Sequence, residues 1–279
     1  VSTELSGNLQ FSTKPTHSVI KSFPVDDIPN LPKLTTNKPF TFNVPTLIKG
    51  FKSVVYSSSV STIRPVLSSI LVASEEDSVV FVATDSFRLA EKRVTTKKHK
   101  DFSQILIPFK NVGEIIRTLE DIKDDVEVEL NENQISFSYK DLYVTSRVID
   151  GVFPDYKQII PKEVKTEVIV LKQDFVSSLR ISNIFADKFS QVVFNISPKE
   201  KTFRITTKNM DVGENTNNLD AVIKGDELTI SFNYKYIIDC FQAIDSDSIS
   251  LSFSDTSKPM IVRGVSDKSF LYLVMPMNK

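Results

Sequence analysis

ILIPFKNVGEIIRTLEDIKDDVEVEL, residues 105–130, is answered later in the chain by LTISFNYKYIIDCFQAIDSDSISLSF, residues 228–253. Each stretch opens with an apolar strand, passes into helical spacing, meets an acidic turn and resumes alternation, so each predicts strand, helix, turn, strand. A further alternating segment follows each copy, ISFSYKDLYVTSRVI (135–149) and MIVRGVSDKSFLYLVMPM (260–277), and both read as antiparallel hairpins. A second pair lies upstream. FTFNVPTLIKGFKSVVYSSS (40–59) turns from a short strand into a helical stripe of Ile48, Phe51, Val54 and Val55. EVIVLKQDFVSSLRISNIF (167–185) does the same, with its stripe at Phe175, Leu179 and Ile184. The chain therefore contains two similar α+β modules, 40–153 and 154–279, each with two helices and many strands, meeting at Gly151-Val152-Phe153-Pro154-Asp155. Residues 1–39 hold a strand at 7–12 and the extended FPVDDIPNLP (23–32), too little for a third module. They read as the tail of one, with Phe23-Pro24 matching Phe153-Pro154.

Composition removes several classes of function. With 41% hydrophobic and 25% charged residues over 279 positions, the chain is globular in type and long enough for about two domains. No apolar run reaches the roughly 18 residues of a membrane span, and VSTELSGNLQFSTK lacks a signal-peptide layout, so a soluble, cytoplasmic protein without membrane association is expected. One cysteine, Cys240, and two separated histidines, His17 and His99, offer neither a disulfide framework nor a Cys/His zinc cluster. Only seven glycines occur, none in a phosphate-cradling loop, and no cofactor or metal is expected. The net charge of −1 is not that of a protein coated in nucleic acid; contact with DNA would rest on how charge is distributed or on topology.

No catalytic constellation emerges. The carboxylates Asp26/Asp27, Asp121/Asp124/Asp125 and Asp245/Asp247 sit where aspartate commonly fills solvated turns. Ser57-Ser58-Ser59 lacks a nucleophile elbow and reads as a helix end. Lys97-Lys98-His99-Lys100 suits either phosphate contact or plain solvation. The four helical segments carry Lys49 and Lys52, Lys110 and Arg117, Lys172 and Arg180, and Lys235, a mildly basic face. If the repeated helices share one side, these cations recur along a concave surface suited to a phosphate backbone without base reading.

Four ordered motifs, VATDSFRLA (82–90), RVIDGVFPDYKQIIP (147–161), FNYKYIIDCF (232–241) and YLVMPM (272–277), closely resemble the bacterial DNA polymerase III beta sliding clamp family, over essentially the whole chain. The resemblance implies a family of three-domain subunits joined head to tail in a homodimeric ring, helices lining the DNA hole and antiparallel sheets outside. Here 1–39 would be the end of the first domain, 40–153 the second and 154–279 the third, and this chain alone is not expected to close a normal ring. Arg64 joins the helical cations as DNA-facing. The resemblance also implies a groove between the last two domains for short linear motifs of the replicative polymerase, the clamp loader and repair proteins. Carried over individually, Leu67, Thr84, Ser86, Phe87, Arg88 and Leu89 fall on one side. Pro154, Gln158, Ile159, Phe189, Asn233, Tyr236, Pro259, Leu273, Val274, Met275, Pro276 and Met277 fall on the other. Leu67, Leu89, Ile159, Leu273 and Met275 would form an apolar pocket, with Arg88 and Asn233 orienting a peptide backbone. Two departures stand out: Ser86-Phe87 replaces the Gly-His of the family's TDGHRLA, and Gln158 replaces an arginine that often follows FPDY by two places. The function expected is a non-enzymatic tether that encircles duplex DNA without sequence preference and confers processivity through effective concentration. A clamp-derived peptide-binding adaptor that never encircles DNA is the alternative.

Overall fold

The computed structural model describes residues 2–3, 7–23, 34, 39–96, 102 and 104–277. Pro24, Asp26, Asp27 and the run Lys97-Lys98-His99-Lys100 lie outside the described residues. The chain divides into two compact units, Val1–Thr35 and Thr36–Lys279. In the first, β1 (Ser2–Thr3), β2 (Leu9–Ser12) and β3 (His17–Ile20) form a small antiparallel sheet in that order.

The second unit begins β4 (Phe40–Asn43), α1 (Val44–Val54), β5 (Ser69–Glu75), β6 (Ser78–Thr84), β7 (Arg88–Thr95), β8 (Ile105–Pro108), α2 (Phe109–Leu119), β9 (Asp125–Leu130), β10 (Gln134–Tyr139) and β11 (Leu142–Arg147). It continues β12 (Thr166–Leu171), α3 (Lys172–Ile184), β13 (Gln191–Ser197), β14 (Thr202–Asn209), β15 (Gly213–Leu219), β16 (Ala221–Gly225), β17 (Leu228–Asn233), α4 (Tyr234–Ile238), β18 (Ser248–Phe253), β19 (Met260–Gly264) and β20 (Phe270–Val274). Apart from the added β16, the second run repeats the first.

Sheet order exposes the same repeat. The first copy builds β11-β10-β9-β4 and β7-β6-β5-β8; the second builds β20-β19-β18-β12, extended by β16, and β15-β14-β13-β17. The copies join edge to edge, β20 against β7, with Leu273 opposite Leu89 and Leu271 opposite Glu91, which fuses two half-sheets into one of nine strands. Two repeat-equivalent edges, those of β11 and β15, end their sheets.

Helix formation follows local chemistry. Asn43 caps α1, its side-chain oxygen accepting from the Thr46 amide at 3.3 Å, with Pro45 in the first turn where no amide is needed. Asn233 caps α4 by accepting from the Lys235 amide at 2.9 Å. In α2, Val112, Ile115 and Leu119 are buried at helical spacing while Lys110, Glu114 and Arg117 face solvent. Gly50 lets α1 lie close on the sheet: a Cβ there would come within 2.5 Å of the Phe81 ring. The predicted stripe of α3 needs one correction. Phe175 and Leu179 are buried, but the stripe continues to Ser182, and Ile184 is 66% exposed. Five residues beyond Leu179 is about 500° of rotation, which carries Ile184 away from the core-facing side.

The main core lies between the helices and one face of the sheets; Phe51, Phe81, Phe137, Phe175, Phe194, Phe203, Phe232 and Phe253 are essentially inaccessible in it. Each such ring contributes roughly 1.5–3 kcal/mol by leaving water. Strand alternation sends the other set outward. Leu71, Val80, Val82, Leu89, Leu106, Ile261, Leu271 and Leu273 form a second cluster on the opposite face of the nine-stranded sheet. Phe153 and Tyr156, in the segment between the repeats, cover it.

Candidate functional site

The second cluster straddles the β7–β20 joint and contains Leu89 and Leu273 of the sequence-predicted groove set. Leu89 and Leu273 face each other across the joint at 1% and 2% exposure, so they form the floor of the site and not an open wall. Ile159 at 51% and Met275 at 37% supply accessible apolar surface. Met275 is fixed by its amide, which donates to the Phe87 carbonyl at 2.8 Å. Val274 is a correction: one residue out of phase with Leu273 and Met275, it is fully buried in the main core on the opposite face. Pro259 is buried, Leu67 is half-buried in the loop before β5, and Pro154 is exposed.

The turn joining β6 to β7 explains why 84–88 matters. Thr84 Oγ1 donates to the Arg88 carbonyl at 2.7 Å and accepts from the Ser86 amide at 3.2 Å. The Asp85 carboxylate accepts from the Phe87 and Arg88 amides, both at 2.9 Å. Between them Ser86 is held at φ +79°, the left-handed region in which glycine is at ease. Serine at this place in the TDSFRLA motif therefore carries backbone strain of about 1 kcal/mol, offset by the side-chain bonds around it. Phe87 stands out from the turn, 57% exposed, and stacks on Tyr236 with centroids 5.9 Å apart and planes 11° from parallel. This aromatic pair is what the Phe87 departure adds.

Arg88 and Asn233, expected to orient a peptide, are already committed to the fold. Arg88 Nε donates to Asp85 at 3.1 Å and a terminal nitrogen donates to Asp239 at 2.6 Å. Its guanidinium lies 5.0 Å from the Tyr236 ring centre. Burial works against its charge, but Tyr272, Asp239 and Asp85 outweigh that and raise its pKa. Asn233 spends its oxygen on the α4 cap and its amide on the Phe189 carbonyl at 3.1 Å. Both side chains position the walls, Arg88 by tying β7 to Asp239 beyond α4 and Asn233 by tying α4 to the loop of exposed Phe189. Met277 donates its amide to the Ser231 carbonyl at 2.8 Å, carrying the terminal strand past Pro276 along β17. Gln158 donates to Asp155 at 2.8 Å and faces solvent.

Sequence reasoning missed the cover. Tyr156 donates its hydroxyl to Glu91 at 2.6 Å; burial first, then this carboxylate, push the phenol well above its ordinary pKa and keep it neutral. The only signal was an apolar segment without period, Val152, Phe153, Tyr156, Ile159 and Ile160, too irregular for helix or strand. Asp239, partner of Arg88, carried no local signal.

The expected DNA-facing cations are distributed as follows. Lys49, Lys52, Lys110, Arg117, Arg180 and Lys235 are exposed on their helices. Lys49 pairs with Asp245 at 3.3 Å, Lys52 with Glu120 at 2.9 Å, and Arg117 with Glu114. Such exposed pairs contribute about 0–1 kcal/mol and exchange readily for a phosphate. Lys172 differs: its amine donates to the Ile244 carbonyl at 2.8 Å. Arg64 lies on no helix but in the exposed loop before β5.

Residues 41–155 match the family model of the DNA polymerase III beta subunit central domain, and residues 157–278 match that of its C-terminal domain. The chain is 28% identical over 256 residues to the beta sliding clamp of Bacillus subtilis, covering 91% of this chain and 68% of that protein. It is 26% identical over 280 residues to the beta sliding clamp of Staphylococcus aureus, covering 99% and 74%. Among solved structures, the B. subtilis DNA polymerase sliding clamp superposes with a TM-score of 0.92 at 25% identity, covering all of this chain and 74% of that one. The DNA polymerase III beta subunit of Thermotoga maritima gives 0.89 at 26% identity, covering 100% and 75%.

Proposed function

The chain belongs to the DNA polymerase III beta subunit family, the beta sliding clamps, and from that premise we propose that it is a non-catalytic tether that encircles duplex DNA and holds the replicative polymerase on its template. One observation carries the ring: the β20–β7 joint is a repeatable joint. The first copy offers β11 where the second offers β20, and the second offers β15 where the first offers β7. A further module with the same two edges would extend the sheets at both ends by the same pairing, and repetition of such head-to-tail joints closes a ring. On this reading 1–39 is the end of a first domain, 40–153 the second and 154–279 the third, and two subunits make the ring. The exposed helical cations then face phosphate without reading bases.

Partners dock, on the same reading, at the β7–β20 site, where a leucine or phenylalanine of a short motif lies over the Leu89–Leu273 floor between Ile159 and Met275. Polymerase, clamp loader and repair proteins would share it. A peptide with glutamine followed by leucine and phenylalanine should bind at roughly micromolar Kd, on the order of −8 kcal/mol, because peptide ordering offsets much of the apolar gain. Calorimetric titration of Met275→Ala and Ile159→Ala, both exposed enough to leave the fold intact, tests this. Weakening of about 1 kcal/mol or more in each is expected; two folded variants that bind like the parent would remove the groove assignment.

A further inference from the structure

Beside the apolar cluster, the same face of the nine-stranded sheet opens into a cleft of about 790 Å³, within the range of roughly 300–1,000 Å³ usual for ligand sites. Its floor steps across adjacent strands: Ile169 of β12 pairs with Ser250 of β18, and Ser250 with Arg263 of β19. Leu271 of β20 completes it, and Ile160 and Pro161 form one wall. Leu271 and Ile160 also belong to the cluster beneath the peptide site, so cleft and groove are continuous.

The charges around this cleft do not balance internally. Arg93 and Lys157 line it, but Glu75 pairs with both, and Glu91 pairs with Arg93. The other lining carboxylate, Glu167, accepts from the Ser250 hydroxyl at 2.8 Å. Lys162, Arg263 and Lys268 remain, all exposed and without an ion-pair partner among the described residues. Against the single charge of Glu167 they leave an excess of two positive charges around one depression, a local feature in a chain of net charge −1. Arg263 sits on the floor, where its planar fork can take a carboxylate in two parallel hydrogen bonds.

We propose that this cleft receives an acidic, extended stretch of the same partner peptide whose apolar residues occupy the groove, so that carboxylates flanking the docking motif rank one partner above another. The inference rests on the groove reading. A peptide fits better than duplex DNA because the cleft lies on the sheet face opposite the helices and mixes its cations with Ile160, Pro161, Ile169 and Leu271, which suit side-chain methylenes and not a phosphate backbone.

Fluorescence anisotropy with a labelled groove peptide, bare or extended at either end by three glutamates, decides the matter. An extension at one end should tighten binding about tenfold at low salt, since two or three exposed pairs contribute about 1.4- to 5-fold each. High salt should erase most of the gain. In Arg263→Glu/Lys268→Glu the gain should vanish while the bare peptide binds as before. No gain from either extension, or an equal gain in the charge-reversed variant, overturns the proposal. Loss of the gain when short duplex DNA is added would assign the cleft to phosphates and also overturn it. If the bare peptide fails to bind while a free glutamate-rich peptide binds and is lost in the charge-reversed variant, the groove reading falls and the acidic cleft stands.

Discussion

Replacing Arg88 with leucine should loosen the joint on which the site is built. The side chain is only 13% exposed and links β7 to Asp239, a residue of the other repeat, at 2.6 Å, to Asp85 at 3.1 Å, and to the Tyr236 face. Hydrogen bonds to charged groups are each worth about 1.5–3 kcal/mol and the ring interaction about 0.5–2. Part of this is recovered in the variant. Asp239 is 42% exposed and regains water, Asp85 keeps its two backbone donors, and leucine fills some of the volume. A net loss of about 3 kcal/mol results, or roughly 6–12 °C in Tm at about 2–4 °C per kcal/mol for a domain of this size. Urea unfolding of the parent, Arg88→Leu, Asp239→Asn and the double variant gives the coupling directly. About 1–2 kcal/mol of non-additivity is expected for residues that touch. A loss below about 0.5 kcal/mol for Arg88→Leu, or strict additivity, would refute the reasoning that this guanidinium holds the two repeats together.

Two further outcomes follow from charges elsewhere. Lys92, 2% exposed, donates to Asp267 at 3.2 Å and to the Ser269 hydroxyl at 2.6 Å. Burial raises the Asp267 pKa, but the two Ser269 hydrogen bonds and Lys92 outweigh it and hold the carboxyl below its ordinary value. A depressed carboxyl stabilises the fold fully above its unfolded pKa of about 3.9, and that contribution drains away as pH falls through the lower folded value. Asp267→Asn should therefore cost about 3 kcal/mol at pH 7, by leaving a buried ammonium without its counter-charge, and should flatten the acid limb of stability measured by denaturation from pH 7 to pH 2; an unchanged acid limb would show that the pair does not set it. Reversing Lys49, Lys52, Lys110, Arg117 and Arg180 to glutamate should reduce the salt slope of equilibrium binding to short linear duplex DNA, where topology retains nothing, by up to about 4.5 units, at roughly 0.9 for each phosphate no longer neutralised. An unchanged slope would mean that these helices do not face DNA.

Much of the fold was readable because its signals are local. The stripe of α1, the helical spacing of α2 and both hairpins follow from spacing within a dozen residues. The domain joint was not readable from pattern. Leu271, Tyr272, Leu273 and Val274 are all buried, with covered surfaces on both sides of the strand, so no alternation marks which residues face the groove. Val274 entered the groove set through the family resemblance, and nothing in the strand's own pattern separates it from Leu273. Lys92 and Arg88 look like surface cations in sequence, yet each is buried by a partner brought close only by the β7–β20 pairing, Asp267 at 175 residues' separation and Asp239 at 151. The Ser86 strain was foreshadowed by the family's glycine at that place, but its compensation by Thr84 and Asp85 needed the backbone.

Encirclement makes retention depend on whether the DNA is closed. The protein, assembled on nicked circular duplex DNA and freed of unbound protein, is followed by gel filtration before and after the circle is cut once with a restriction enzyme. A tether that encircles DNA stays with the intact circle through high salt and runs off the linear molecule. Equal dissociation from circle and linear DNA, or retention on both that salt abolishes alike, would contradict encirclement and leave the protein a surface-bound adaptor.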